Sequence, residues 1–372
     1  MMKHTGTYLL LTALCAAFAG CSKQQVADLP ESEITYTIAP KVKSDDSFDK
    51  KWTFKSYAFY LANQSDGTLT AWAADRTSST LYIDGSVISN PQGTDASAEN
   101  VWRCNTRKYW WPKQGALTFL AWTSLKEDSS AGTVETSYIA DGVTVTSAEG
   151  VKLTGYCTSA NPKIDFLVAD IKEDQTANTA ATYNVDGVPT LFHHKLSKFC
   201  ITAQTQDAAG EPYDYTQYST CTVKFYINSI TLNGVNDKGT YVQLPAEAWG
   251  SLTQTSSDGY SYFTSGATTS GEEITSTLKS VLADATPLYA IPQTFTDDAE
   301  LVISYTVVTS TSPSMTITDT LSKTIKLSSL FPAFEKGKKY TLKLGFTSEE
   351  ILIDPAVADW PVETGADFYV GE

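Results

Sequence analysis

Along this chain, apolar and polar residues alternate far more often than they recur at helical spacing. The alternation begins with Ile34, Tyr36 and Ile38, separated by Thr35 and Thr37, a period of two that places three large side chains on one face of a strand. Pro40 ends that strand, and a charged stretch from Lys41 to Lys51 follows. Tyr57–Ala62 reads as a fully apolar strand, Thr80–Ile83 as another, and Asp84-Gly85 as a turn. Tyr109-Trp110-Trp111 and Leu117–Trp122 flank Lys113-Gln114-Gly115, a pattern that predicts two strands around a tight turn. Further strands are predicted over Pro162–Ala169, Val188–Ala203, Thr222–Leu232, Tyr241–Leu244, Tyr260–Phe263, Pro287–Thr294, Leu301–Val308, Met315–Leu327, Lys339–Phe346 and Ile351–Ile353. Ile274, Leu278, Val281 and Leu282 alone have helical spacing and predict one short helix. Many short strands between turns predict an all-β protein of sandwich type. Lys172–Gly187 is polar and without period, and it marks the expected boundary between an N-terminal domain over 33–187 and a C-terminal domain over 188–372.

The start of the chain carries a different signal. Lys3 and His4 precede an apolar run from Tyr8 to Phe18, too short for a membrane-spanning helix and right for an export signal over residues 1–20. Phe18-Ala19-Gly20-Cys21 resembles a bacterial lipobox, which makes Cys21 the expected acylated first residue. An ordinary signal peptide cut after Ala17, Ala19 or Gly20 is the alternative. Two or three acyl chains hold a protein on a membrane where one does not, each buried CH₂ contributing about 0.8 kcal/mol. Residues 21–32 are polar and suit a tether, and the first strand is expected over 33–39.

At 372 residues with 42% apolar residues, the chain is long enough for two cored domains. Asp and Glu outnumber Lys and Arg by 42 to 27, and no basic patch stands out, which argues against nucleic acid as a partner. Beyond Cys15 and Cys21, the cysteines at 104, 157, 200 and 221 match neither a zinc nor a redox spacing. Cys200 with Cys221 is the pair to test for a disulfide, and small free core residues are the alternative. Trp110 and Trp111 invite a glycan platform, but neighbours on a strand face opposite ways. Core packing is therefore the better expectation for them.

No nucleophile elbow, phosphate loop, zinc helix motif or calcium loop is present. His193 and His194 are adjacent and cannot chelate one metal from a strand, and Ser197 is too near in sequence to make a nucleophile and base pair with either. Neither a catalytic site, a metal site nor a cofactor is expected.

Several segments together resemble the fimbrillins, lipoprotein-derived subunits of type V pili in anaerobic Gram-negative bacteria. They are Lys108-Tyr109-Trp110-Trp111-Pro112 with Leu117–Ala121, Asp165–Ala169, Leu191–Lys198, Leu288–Thr294, Phe334–Leu342 and Val357-Ala358-Asp359-Trp360. The resemblance implies two transthyretin-like β-sandwiches in tandem, an outer-membrane lipid anchor for the precursor, and assembly with other pilus subunits by donor-strand exchange. A trypsin-like or arginine-specific protease would cut after the first strand, here at Lys41, Lys43, Lys50 or Lys51. The strand carrying Ile34, Tyr36 and Ile38 would leave, and a C-terminal strand of the next subunit would fill its place. Val357, Trp360, Phe368 and Val370 are the candidate donor residues. The first arginine is Arg76, which fits a lysine-cutting protease better than a strictly arginine-specific one. Alternatives are a surface lipoprotein that binds glycans or other ligands, and a non-polymerising tip or anchor protein.

Overall fold

In a computed structural model of the chain, the described residues are 32–38, 48, 52–91, 101–126, 135–136, 142–161, 164–177, 187–217, 221–257, 259–264, 271–281, 288–311 and 315–359. The expected export signal over residues 1–20, Cys21, Lys41, Lys43, Lys50, Lys51, Trp360, Phe368 and Val370 lie outside them. In chain order the first half contributes β1 (Tyr36–Ile38), β2 (Thr53–Leu61), β3 (Thr80–Ser89), β4 (Arg103–Cys104), β5 (Ala116–Lys126), β6 (Glu135–Thr136), β7 (Val143–Thr146), β8 (Gly150–Cys157), β9 (Ile164–Ala169), β10 (Lys172–Gln175), β11 (Val188–Thr190) and β12 (Phe192–His194). The second contributes β13 (Ser197–Thr205), β14 (Cys221–Asn233), β15 (Lys238–Val242), β16 (Ala248–Thr253), β17 (Tyr260–Thr264), β18 (Glu272–Ile274), β19 (Lys279–Ser280), β20 (Leu288–Ala290), β21 (Gln293–Thr294), β22 (Glu300–Thr311), β23 (Met315–Lys326), β24 (Ala333–Phe334), β25 (Lys338–Phe346) and β26 (Ile351–Asp359). The all-β expectation holds.

The N-terminal half is built on an eight-stranded sheet with the main path β12-β9-β5-β2-β3-β4. At β5 and β9 both of its faces are covered, which explains why these strands are continuous apolar runs rather than alternating ones, whereas β3 is largely exposed. On one face Leu117, Phe119, Ala121, Leu167 and Ala169 meet β1, Trp102, Trp111 and Val188. On the other, Leu120, Trp122, Phe166 and Val168 meet Val151, Leu153, Tyr156 and Tyr241. The second cover is a four-stranded sheet, β16-β15-β8-β7, in which Lys238 to Val242 of β15 pair with Cys157 to Lys152 of β8.

That shared sheet joins the two halves. Asp237 tightens it by taking hydrogen bonds from the hydroxyls of Ser159 and Thr255 and from the Thr255 N–H at 2.7 Å. Gln243 Nε2 donates to the Ala169 carbonyl at 3.0 Å. β11 and β12, which follow Gly187, pair with β1 and β9, so strands on both sides of the expected boundary share one body. The rest of the C-terminal half is a sandwich of β19-β13-β25-β26 against β17-β14-β22-β23, closed over a core that includes Phe199, Ile227, Ile303, Leu342 and Phe346.

Two expectations are corrected. Among the described residues the helix expected from Ile274 onward is absent, Leu282 lying outside them: Ile274 ends β18 opposite Phe225, and Lys279 and Ser280 form β19 on β13. Ile274 and Val281 reach the same core from two short strands joined by a bend, which imitates helical spacing. Residues 109–111 do not form a hairpin with β5, because they run against Ser32–Ile34 and leave β5 to β2 and β9. The pair singled out for test, Cys200 and Cys221, forms no disulfide, nor do Cys104 and Cys157, in keeping with the reading of these cysteines as small free residues.

Candidate functional site

The first strand is central, held on both sides. β1 runs parallel to β11, with Tyr36 opposite Val188 and Ile38 opposite Thr190, and Val188 N donates to the Thr35 carbonyl at 2.8 Å. Across its other edge the contacts are antiparallel. Ile34 N donates to Tyr109 O at 2.7 Å, Tyr36 and Trp102 exchange bonds of 2.9 and 2.8 Å, and Trp111 N donates to Ser32 O at 3.1 Å. Pro189 sits in the middle of β11, a position that an edge strand tolerates. Gly187 allows the close approach. A Cβ there would lie 2.5 Å from the Thr35 carbonyl carbon and oxygen and 2.6 Å from Tyr36 N.

The alternation expected for Ile34, Tyr36 and Ile38 delivers all three into the core, at 3%, 2% and 5% exposure. Tyr36 is the keystone. Its ring stands edge-on to Phe54 at 5.5 Å and to Phe119 at 5.8 Å. Burial pushes its ionisation well above the ordinary phenol range, only partly offset by nearby Ser56. The Tyr36 and Ser56 hydroxyls lie near each other without a well-aligned hydrogen bond, and a buried hydroxyl left short of a good partner costs about 1–3 kcal/mol. The three side chains contribute about 1.5–3 kcal/mol each by burial, so the seat is strong but not optimal.

Phe48 is the residue that sequence reasoning missed. It is 4% exposed, stacks on Phe192 at 4.9 Å and meets Trp52 edge-on at 5.1 Å. A lone aromatic inside the charged Lys41–Lys51 stretch was its only signal. Among the other candidate residues, Val357 lies in β26 opposite Tyr340 and is exposed. Trp111 is buried against Phe119, while Trp110 points outward with Lys108 over its ring. The pair forms no single platform.

The histidines part in the same way. His193 Nε2 meets Asp170 at 3.0 Å near the surface, and His194 Nδ1 meets Asp165 at 2.5 Å in the interior. Ser197 Oγ donates to the Glu335 carbonyl at 2.8 Å and faces neither ring as a nucleophile. Among the described residues no group of three or more His, Cys, Asp or Glu is placed to hold a metal, and no helix is long and apolar enough to cross a membrane. A partly buried charge cluster lies at the junction of the halves. Lys195 Nζ lies 2.9 Å and Lys336 Nζ 2.8 Å from Glu247, and Tyr241 OH donates to it at 3.1 Å. Burial alone would raise the Glu247 carboxyl, but the two lysines bring it down to about 2.

These features define an all-β protein of fused sandwiches whose most distinctive site is a strand seat rather than a reaction centre. The chain belongs to the fimbrillin-like family, whose model matches residues 61–360. That family consists of fimbrial and adhesion proteins of the cell surface, not enzymes. Among solved structures, a fimbrial protein from Bacteroides vulgatus is 18% identical, with a TM-score of 0.55, covering 88% of this chain and 99% of its own. It supports the same fold. A Bacteroides uniformis protein named provisionally for cell adhesion is 15% identical, with a TM-score of 0.43 and coverage of 89% and 98%. A fimbrial assembly protein from Parabacteroides distasonis is 13% identical, with a TM-score of 0.33 and coverage of 88% and 96%. No curated protein matches the chain.

Proposed function

We propose that this protein is a structural subunit of type V fimbriae, exported as a lipoprotein through Cys21 to the outer membrane and assembled there by protease-triggered strand exchange to support adhesion. The observation that carries this reading is the seat of β1. A short strand with three buried side chains and hydrogen bonds on both edges would, once removed, leave an apolar slot flanked by two open strand edges. Such a slot is a ready site for an added strand. A trypsin-like protease cutting after Lys41 or Lys43 leaves Phe48 stacked on Phe192, whereas cutting after Lys50 or Lys51 removes that ring as well. The earlier sites preserve more of the core.

The donor is expected at the end of the chain. Asp354–Asp359 of β26 are exposed on the sheet edge, and Phe368 and Val370 follow with the spacing of Tyr36 and Ile38. A phenylalanine entering the Tyr36 pocket brings no hydroxyl to leave unsatisfied. Deleting Pro361–Glu372 should abolish polymers while leaving the fold intact, and polymers of the truncated chain would refute the donor assignment. The test of the whole reading is N-terminal sequencing with intact mass of protein recovered from the cell surface. A lipid-free start after Lys41 or Lys43 is expected. An acylated Cys21 on all recovered material would overturn processing and leave an anchor or ligand-binding lipoprotein.

A further inference from the structure

β23 is an edge strand of an uncommon kind. It runs twelve residues, Met315–Lys326, pairs with β22, and ends its sheet among the described residues. Both its faces are largely exposed, and it contains neither proline nor glycine. β26, the edge strand of the facing sheet, is interrupted by Pro355, which has no donor to offer. A long unbroken edge presents a row of N–H and C=O groups to any strand that fits it.

What fits is written in the strand itself. Met315, Ile317, Asp319, Leu321, Lys323 and Ile325 share one face, the face on which Leu301 and Ile303 of β22 enter the core. Met315, Ile317 and Leu321 are 59%, 44% and 45% exposed. Around Leu321 the row reads Ile, Asp, Leu, Lys, Ile. It is symmetric in its apolar positions and opposite in its charges.

An antiparallel second copy with Leu321 against Leu321 therefore sets Asp319 against Lys323 twice and Ile317 against Ile325 twice. On the other face Thr318 meets Thr324, and Thr320 meets Ser322. Opposite charges and threonine pairs directly across a ladder are favourable, and like charges are not. Sliding one copy by two residues puts each charge opposite an apolar side chain. Sliding it by four sets Asp319 against Asp319 or Lys323 against Lys323. Edge charges ordinarily repel other strands, but in this one register they complement each other.

We propose that β23 is a self-association edge, where a second copy of this chain adds antiparallel about Leu321 and joins the two C-terminal sheets side by side. This contact is lateral and independent of β1, so it does not rest on strand exchange. The test is sedimentation of the full chain with its first strand in place, up to about 100 μM, where Kd values of ~10 μM are readily populated. Dimers are expected. Asp319→Lys and Lys323→Asp should each weaken association by about tenfold, because two attractive pairs become repulsive, and the double exchange should restore it. Under mild oxidation Leu321→Cys should cross-link two copies, and Thr316→Cys, which faces Lys326, should not. A monomer at every concentration, single variants that dimerise like the parent, or a double exchange that fails to restore association would overturn the proposal.

Discussion

Gly187→Ala tests the seat of the first strand at its tightest point. The added Cβ would lie 2.5 Å from Thr35 backbone atoms, where ordinary contact begins at 3.4 Å, so β1 must retreat by about 1 Å or tilt out. Overpacking of this kind costs about 1–3 kcal/mol, and loss of the Val188 to Thr35 hydrogen bond adds about 1 kcal/mol. The strand should thus be held more weakly by about 2–4 kcal/mol, roughly 30-fold to 1,000-fold in affinity. The backbone of Gly187 is not in the left-handed region, so alanine strains nothing else. It should stabilise the body lacking the strand by about 0.4–1 kcal/mol through the unfolded chain. The assay is a trypsin cut in the Lys41–Lys51 stretch, then gel filtration with intact mass, to see whether the N-terminal fragment stays with the body. The parent should retain it and the variant should release it. Equal retention would refute the close-approach argument.

Three further outcomes follow from the same geometry. Tyr36→Phe removes a buried hydroxyl without a well-aligned partner and should stabilise the full chain by about 1 kcal/mol, read as a higher denaturant midpoint at unchanged slope; a comparable loss would mean that the Tyr36–Ser56 contact is a net stabilising bond. Phe48→Ala should cost about 3–5 kcal/mol in the same measurement, and a neutral result would show that its stack on Phe192 is dispensable. Glu247, brought down to about 2 from an ordinary 4.5, contributes stability that is complete above about pH 4.5 and is lost as pH falls toward 2; that acid-limb loss, reduced by the partial exposure of the cluster to about 1 kcal/mol, should vanish in Glu247→Gln.

The parts of the molecule that were legible in its sequence are those set by local period. Ile34, Tyr36 and Ile38 enter one core because strands alternate, Trp110 and Trp111 part company for the same reason, and so do His193 and His194. Partners across long stretches of chain left no such trace. Nothing near Lys238–Val242 announces that it pairs with β8, and the break at Lys172–Gly187 gave no hint that β11 would return to β1. Phe48 was hidden by its charged neighbours, since a single ring has no period. Ile274 and Val281 misled because two strands joined by a bend can repeat a helix's spacing.

The parallel pairing of β1 with β11 also bears on the order of events during folding. Tyr36 meets Trp102 and Val188, the latter about 150 residues away, and contacts so distant form only after intervening structure has closed the loop. Docking of β1 after the rest of the body is the order that loop-closure entropy favours. A strand joined to the body holds the slot through its local concentration, an advantage that only an intact chain confers. Under the strand-exchange reading, cutting the link does not have to reshape anything. It ends the advantage of the resident strand.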